Sequence, residues 1–100
     1  MNLSFKVIQA MKNSDSTYLE SIINSNVTVD DEKQIFIFED EYEQSFSNFD
    51  YSLLEYQAQF SQDNRITVAL AEVSPQSNIE IYFEFIQVGE TYLLYSFITN

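Results

Sequence analysis

The apolar positions along this chain change period once, near residue 27. Before it, Leu3, Val7, Ile8 and Met11 recur at helical spacing, and Asn2 stands where a helix cap belongs. Asn13, Ser14, Asp15 and Ser16 interrupt the stripe. A second stripe, Tyr18, Leu19, Ile22 and Ile23, predicts another short helix capped by Asp15 or Ser16. Asn24, Ser25 and Asn26 end it by offering the backbone competing side-chain hydrogen bonds. The pair reads as a helical hairpin with one buried face.

After residue 27 the period is mainly two. Val27, Thr28 and Val29 form a short strand, and Ile35 to Phe38 is apolar on both sides, as a covered strand requires. Leu54, Tyr56, Ala58 and Phe60 alternate with Glu55, Gln57 and Gln59, the pattern of a strand with one wet face. Ser61 to Asn64 turns the chain into a strand from Arg65 to Val73, with Ile66, Val68 and Leu70 on one face. A turn around Pro75 follows. Ile79, Ile81, Phe83 and Phe85 then alternate against Glu80, Tyr82 and Glu84. Gly89 sits in a tight turn that suits positive φ. The last strand, Thr91 to Thr99, is apolar on both faces and is expected at the centre of the sheet. Two short helices cover one face of such a sheet. Part of the other face is expected to bury itself against residues 39–49 or in a homodimer.

Between Glu39 and Asn48 two readings stand. Tyr42, Phe46 and Phe49 lie at helical spacing, which favours a short acidic helix, and a loop is the alternative. The expected architecture is α+β, with two short N-terminal helices on a curved antiparallel sheet of about four to six strands. Neither repeats nor linkers divide residues 1–100, so one domain is expected.

Composition supports a folded chain: 45% of the residues are hydrophobic and 16% aromatic. Charge changes the picture more. Sixteen acids face four bases, a net charge of −12, and the excess is concentrated. Residues 30–50 hold eight acids and Lys33, whereas residues 1–29 are neutral. Direct binding to nucleic acid needs basic residues that are missing here. No basic stretch precedes an apolar run at the start, and no wholly apolar run exceeds four residues, the length of Ile35 to Phe38. A soluble, cytoplasmic protein is expected.

The same composition restricts chemistry. With no histidine and no cysteine, the chain holds no Ser–His or Cys–His pair, no disulfide and no zinc site of ordinary composition. One glycine cannot build a phosphate-cradling loop. Asp30 to Glu41 spans twelve residues with acids at both ends, but Gln34 and Ile35 occupy positions where a calcium loop needs an oxygen ligand and a glycine. No cofactor, no metal and no catalytic residue is expected, and the chain is read as a non-enzyme.

The order of elements resembles the NTF2-like (cystatin-like α+β cone) superfamily. Ile8 to Asp15, leading into Tyr18 to Ile23 and Val27 to Val29, looks like that superfamily's opening. Ile81 to Val88, Gly89 and Tyr92 to Phe97 look like its close, with Tyr92 where relatives often carry tryptophan. The resemblance implies a cone-shaped sheet and frequent dimerisation through it. It also implies a possible immunity or inhibitor role, or a small-ligand pocket serving an isomerase that pairs an aspartate with a tyrosine.

The densest chemical feature is acidic. Asp30, Asp31, Glu32, Glu39, Asp40, Glu41 and Glu43 are seven acids in fourteen residues, with Tyr42 and Phe46 interleaved. A solvated face is one reading. The other is a docking surface for a basic, nuclease-like protein partner, steered by charge and held by Tyr42 and Phe46 as anchors. If Ile35 to Phe38 is a strand roughly 13 Å long, its two acidic ends can bracket one cleft. The expectation is therefore an acidic protein-binding module of inhibitor or immunity type. An NTF2-like ligand binder or isomerase, and an oligomeric scaffold, are the alternatives.

Overall fold

A computed structural model describes residues 3–39, 41–46, 54–72 and 79–99. Helix α1 (Leu3–Lys12) buries Ser4, Val7, Ile8 and Met11, the stripe that its sequence carries. It ends where Ser14 takes a left-handed conformation (φ 54°), letting the Asp15 amide donate to the Ala10 carbonyl at 2.8 Å. Asp15 then caps α2 (Ser16–Ser21), its Oδ1 accepting from the Tyr18 amide at 3.1 Å. This helix is shorter than its apolar stripe. Ile22 and Ile23 leave it and lie beside the last strand, where they still pack on the core.

Seven strands follow: β1 (Thr28–Asp30), β2 (Ile35–Ile37), β3 (Glu43–Ser45), β4 (Leu54–Gln62), β5 (Arg65–Glu72), β6 (Glu80–Val88) and β7 (Thr91–Thr99). They form two antiparallel sheets rather than one, in the orders β1-β2-β3 and β4-β5-β6-β7. The α+β class expected from sequence is therefore present, with its strands divided between two layers. Gly89, at φ 65°, serves the two-residue connection between β6 and β7.

Two expectations need correction. Residues 43–45 are not helical: Glu43, Gln44 and Ser45 pair with Ile37, Phe36 and Ile35. The spacing of Tyr42 and Phe46 suggested a helix, but β2 has two edges to satisfy and β1 covers one of them. Phe49, the third residue of that pattern, lies outside the described residues. The second correction concerns β7, which ends the row of strands instead of lying within it. Its outer edge is met at Leu94 by the chain leaving α2. The Leu94 amide donates to the Ile22 carbonyl at 2.7 Å, and the Asn24 amide donates to the Leu94 carbonyl at 2.9 Å.

The core lies between these layers. Val68 and Leu70 of β5, Ile81, Phe83 and Phe85 of β6, and Leu94 and Phe97 of β7 meet the α1 stripe, Leu19 and Phe36. Phe83 and Phe97 pack edge to face with centroids 4.5 Å apart. Fully burying each such side chain contributes about 1.5–3 kcal/mol. The opposite face of the four-stranded sheet is less covered: Phe60 is 61% exposed and Ile98 49%. The described part of 39–49 does not cover it, because residues 43–45 are taken up by the other sheet.

Candidate protein-binding face

The candidate site is the outer face of the three-stranded sheet and the two turns at its ends. Val29, Phe36 and Gln44 stand opposite one another, so they share one face. Phe36 and Gln44 are buried and Val29 packs against the core. The other face carries Thr28, Ile37 and Glu43 in one row and Asp30, Ile35 and Ser45 in the next. Ile35 and Ile37 are only half-buried there. Asp30 and Glu43 occupy diagonal corners around them.

The remaining acids fall in the connections. Asp31 and Glu32 are exposed in the β1–β2 turn. Asp30 shapes that turn, its Oδ1 accepting from the Lys33 amide at 3.1 Å. Gln34 adopts φ 57° and donates through Nε2 to the Asp31 carbonyl and, at 3.2 Å, to Asp31 Oδ1. Glu39 and Glu41 are exposed in the β2–β3 turn. The turn is closed by the Glu41 amide on the Phe38 carbonyl at 2.8 Å and the Phe38 amide on the Tyr42 carbonyl at 2.9 Å. Asp40 lies outside the described residues.

Antiparallel pairing puts the 31–34 and 38–42 turns at opposite ends of the sheet. The acids thus form two groups separated by a strand of three residues, roughly 10 Å. Both groups border the face that carries Ile35 and Ile37. Within the described residues, the cation closest to them in sequence is Lys33.

The two aromatic candidates have different environments. Tyr42 is 39% exposed, its ring stacked on Phe38 at 6.0 Å, and Gln44 Nε2 donates to its hydroxyl at 3.1 Å. That leaves a held ring with accessible surface. Phe46 is 2% exposed, with its centroid 5.0 Å from that of Phe36. It supports the sheet from inside and presents no contact surface. Conversely, Ile35 and Ile37 emerge as apolar surface that the sequence reading had assigned to a strand covered on both sides. Their signal was present in the alternation with Phe36 and Phe38, since four consecutive apolar residues in a strand must point to both faces.

Several clefts lie elsewhere. An open groove of about 250 Å³ is lined by Lys6, Gln9, Asn13, Asp15 and Tyr18 on the helices. Burial, and secondarily the charge of Asp15, raises the Tyr18 pKa above its ordinary value. Asp15 is engaged in capping α2, and the groove is open to solvent. A second cleft of about 400 Å³, lined by Asn26, Phe38, Glu39, Tyr95 and Ser96, opens beside the β2–β3 turn. Among the described residues no three acids converge as a metal site, and no helix is long and apolar enough to cross a membrane.

This arrangement defines an α+β protein with an acid-bordered apolar sheet face. Comparison of the chain with family models, curated proteins and solved structures finds no match.

Proposed function

We propose that the chain is an acidic protein-binding module, an inhibitor or immunity protein that neutralises a basic, nuclease-like partner. The observation that carries this reading is the placement of half-buried Ile35 and Ile37 on a sheet face bordered at both ends by acidic residues, with the partly exposed Tyr42 at one of those ends. An apolar centre with a charged rim is how many interfaces divide their work. The rim steers a partner of opposite sign, and the centre slows its departure. Asp30, Asp31, Glu32, Glu39, Glu41 and Glu43 supply the rim, and Asp40, outside the described residues, is counted among the partner-binding acids from its sequence alone. Tyr42 supplies a rigid aromatic contact.

The same reading takes the protein as a non-enzyme of the cytoplasm, related to the NTF2-like superfamily. What supports that kinship is the succession of two helices and antiparallel hairpins. An isomerase of that superfamily pairs its aspartate and tyrosine in an apolar pocket, whereas Asp15 and Tyr18 line an open groove in which Asp15 is engaged in capping α2.

The test begins with capture of basic proteins from the native host on the immobilised chain, followed by kinetics with the protein retained. Reversing Glu39, Glu41 and Glu43 to lysine is expected to slow association by about tenfold or more at low salt. Tyr42→Ala is expected chiefly to speed dissociation. Association rates and salt dependence left unchanged by the triple reversal would reduce this face to a solvated surface.

A further inference from the structure

We propose that two copies of this chain associate edge to edge through β4, pairing antiparallel about a twofold axis at Phe60. The two sheets have four outer edges, and they are not alike. Those of β1 and β3 are three residues long. That of β7 is met partway along, at Leu94, by the main chain of Ile22 and Asn24, which splits it into shorter runs. The β4 edge runs for nine residues, and among the described residues it pairs only with β5, on its inner side.

A long open edge is a template for another strand, and proteins usually blunt it with lysine, proline or a bulge. β4 carries a bulge between Tyr56 and Ala58, but beyond it the pairing with β5 is regular from Ala58 to Gln62. Those five residues, Ala58, Gln59, Phe60, Ser61 and Gln62, include no charge, no proline and no glycine. Residues 47–53, which are not described, join β4 at its other end, before Leu54.

Charge selects the occupant. In a chain of net charge −12, a basic partner is drawn to the acidic turns and finds no carboxylate along Ala58 to Gln62. A second copy must avoid bringing like charges together, and this stretch is where it can. Pairing about Phe60 sets Ala58 opposite Gln62, Gln59 opposite Ser61, and Phe60 opposite its own counterpart. No like charges then face each other across the new ladder. Such an interface is self-complementary, as twofold symmetry requires. It also covers the apolar side chain with the greatest exposure among the large hydrophobics described, Phe60 at 61%. The acidic face lies on the other sheet and stays open, so the proposal stands apart from the identity of any partner.

The full-length chain alone suffices for the test. Sedimentation equilibrium over increasing concentration is expected to show a shift from the monomer mass to twice that mass. Phe60→Lys, which sets two ammonium groups opposite each other, is expected to weaken the dimer about tenfold or more while leaving the circular dichroism spectrum unchanged. Because the native chain has no cysteine, Phe60→Cys provides a second readout independent of that variant's folding. Mild oxidation should yield a covalent dimer, and Glu20→Cys on α2 should not. A chain that stays monomeric at every concentration overturns the proposal. So does a dimer indifferent to Phe60→Lys, or equal cross-linking through Cys at 20 and 60.

Discussion

Phe36 of the three-stranded sheet and Phe97 of the four-stranded sheet lie with ring centroids 6.3 Å apart, both withdrawn from solvent. Phe36 also meets Phe46, and Phe97 meets Phe83, so a row of four rings joins the two sheets. Phe36→Ala is expected to cost about 3–5 kcal/mol, since the cavity borders two sheets that cannot both close upon it. That is a large share of the ~5–15 kcal/mol that holds a typical domain together. Urea unfolding measures it, and a loss under ~1 kcal/mol would show that the sheets are joined elsewhere.

The net charge of −12 sets a second expectation. Self-repulsion opposes the compact state, and it is screened over about 30 Å at 0.01 M salt but about 8 Å at 0.15 M. Thermal unfolding should therefore move to higher temperature as salt rises across that range. Reversing Glu39, Glu41 and Glu43 to lysine halves the net charge and should shrink that salt response without unfolding the chain. A parent protein whose Tm ignores salt would show that its carboxylates are too dispersed to repel.

Backbone geometry gives opposite signs at two turns. Gly89 holds φ 65°, and a Cβ added there meets nothing within 4 Å. Gly89→Ala should cost about 1–2 kcal/mol from left-handed strain alone. Ser14 holds φ 54° at the end of α1, where glycine is the usual residue. Ser14→Gly should stabilise by about 0.5–1 kcal/mol, the Cβ strain relieved being partly offset by extra chain entropy in the unfolded state. Chemical denaturation of both variants checks the pair of signs.

Tyr18 contributes to the alkaline limb of stability. Burial, and then Asp15, raises its pKa above the ordinary 10.0. A phenol harder to ionise in the folded chain than in the unfolded one contributes stability that is complete below the unfolded value. That contribution is lost as pH rises through the folded value. Tyr18→Phe should flatten the loss, seen as a smaller fall in unfolding free energy above pH 10. Asp15→Ala should remove the α2 cap at about 1 kcal/mol at neutral pH.

The helices, the long strands and the turn at Gly89 were legible because each rests on neighbours in sequence. The stripe Val7, Ile8 and Met11 and the alternation Ile81, Phe83 and Phe85 state their period within a few residues. So did the acidic stretch, since charge is additive and needs no fold to be counted. Its geometry was not legible. Whether Asp31 and Glu41 lie together or at opposite ends depends on how β1, β2 and β3 pair, and pairing is a non-local event.

The same physical reason separates Tyr42 from Phe46. Both are aromatic and flank Glu43 to Ser45, and the chain itself treats them alike. The pairing of β3 with β2 puts both on the inner side of the sheet, where Phe46 packs under Phe36, whereas Tyr42 stacks on Phe38 at the end of the sheet and keeps part of its ring exposed. The edge role of β7 is another case: its two apolar faces indicate burial, but a hydrogen-bonded neighbour on each side is a property of topology. Here the neighbour was the chain leaving α2, some seventy residues away. Sequence determined most of the helical, extended and charged segments, because local sterics and solvation act within a turn or a strand. Residues 43–45, where the spacing favours a helix, became a strand only through pairing with β2. Tertiary structure alone decided that the strands form two sheets, which aromatic ring is surface, and which strand edge has no partner among the described residues. Those outcomes depend on contacts between residues that only folding brings together.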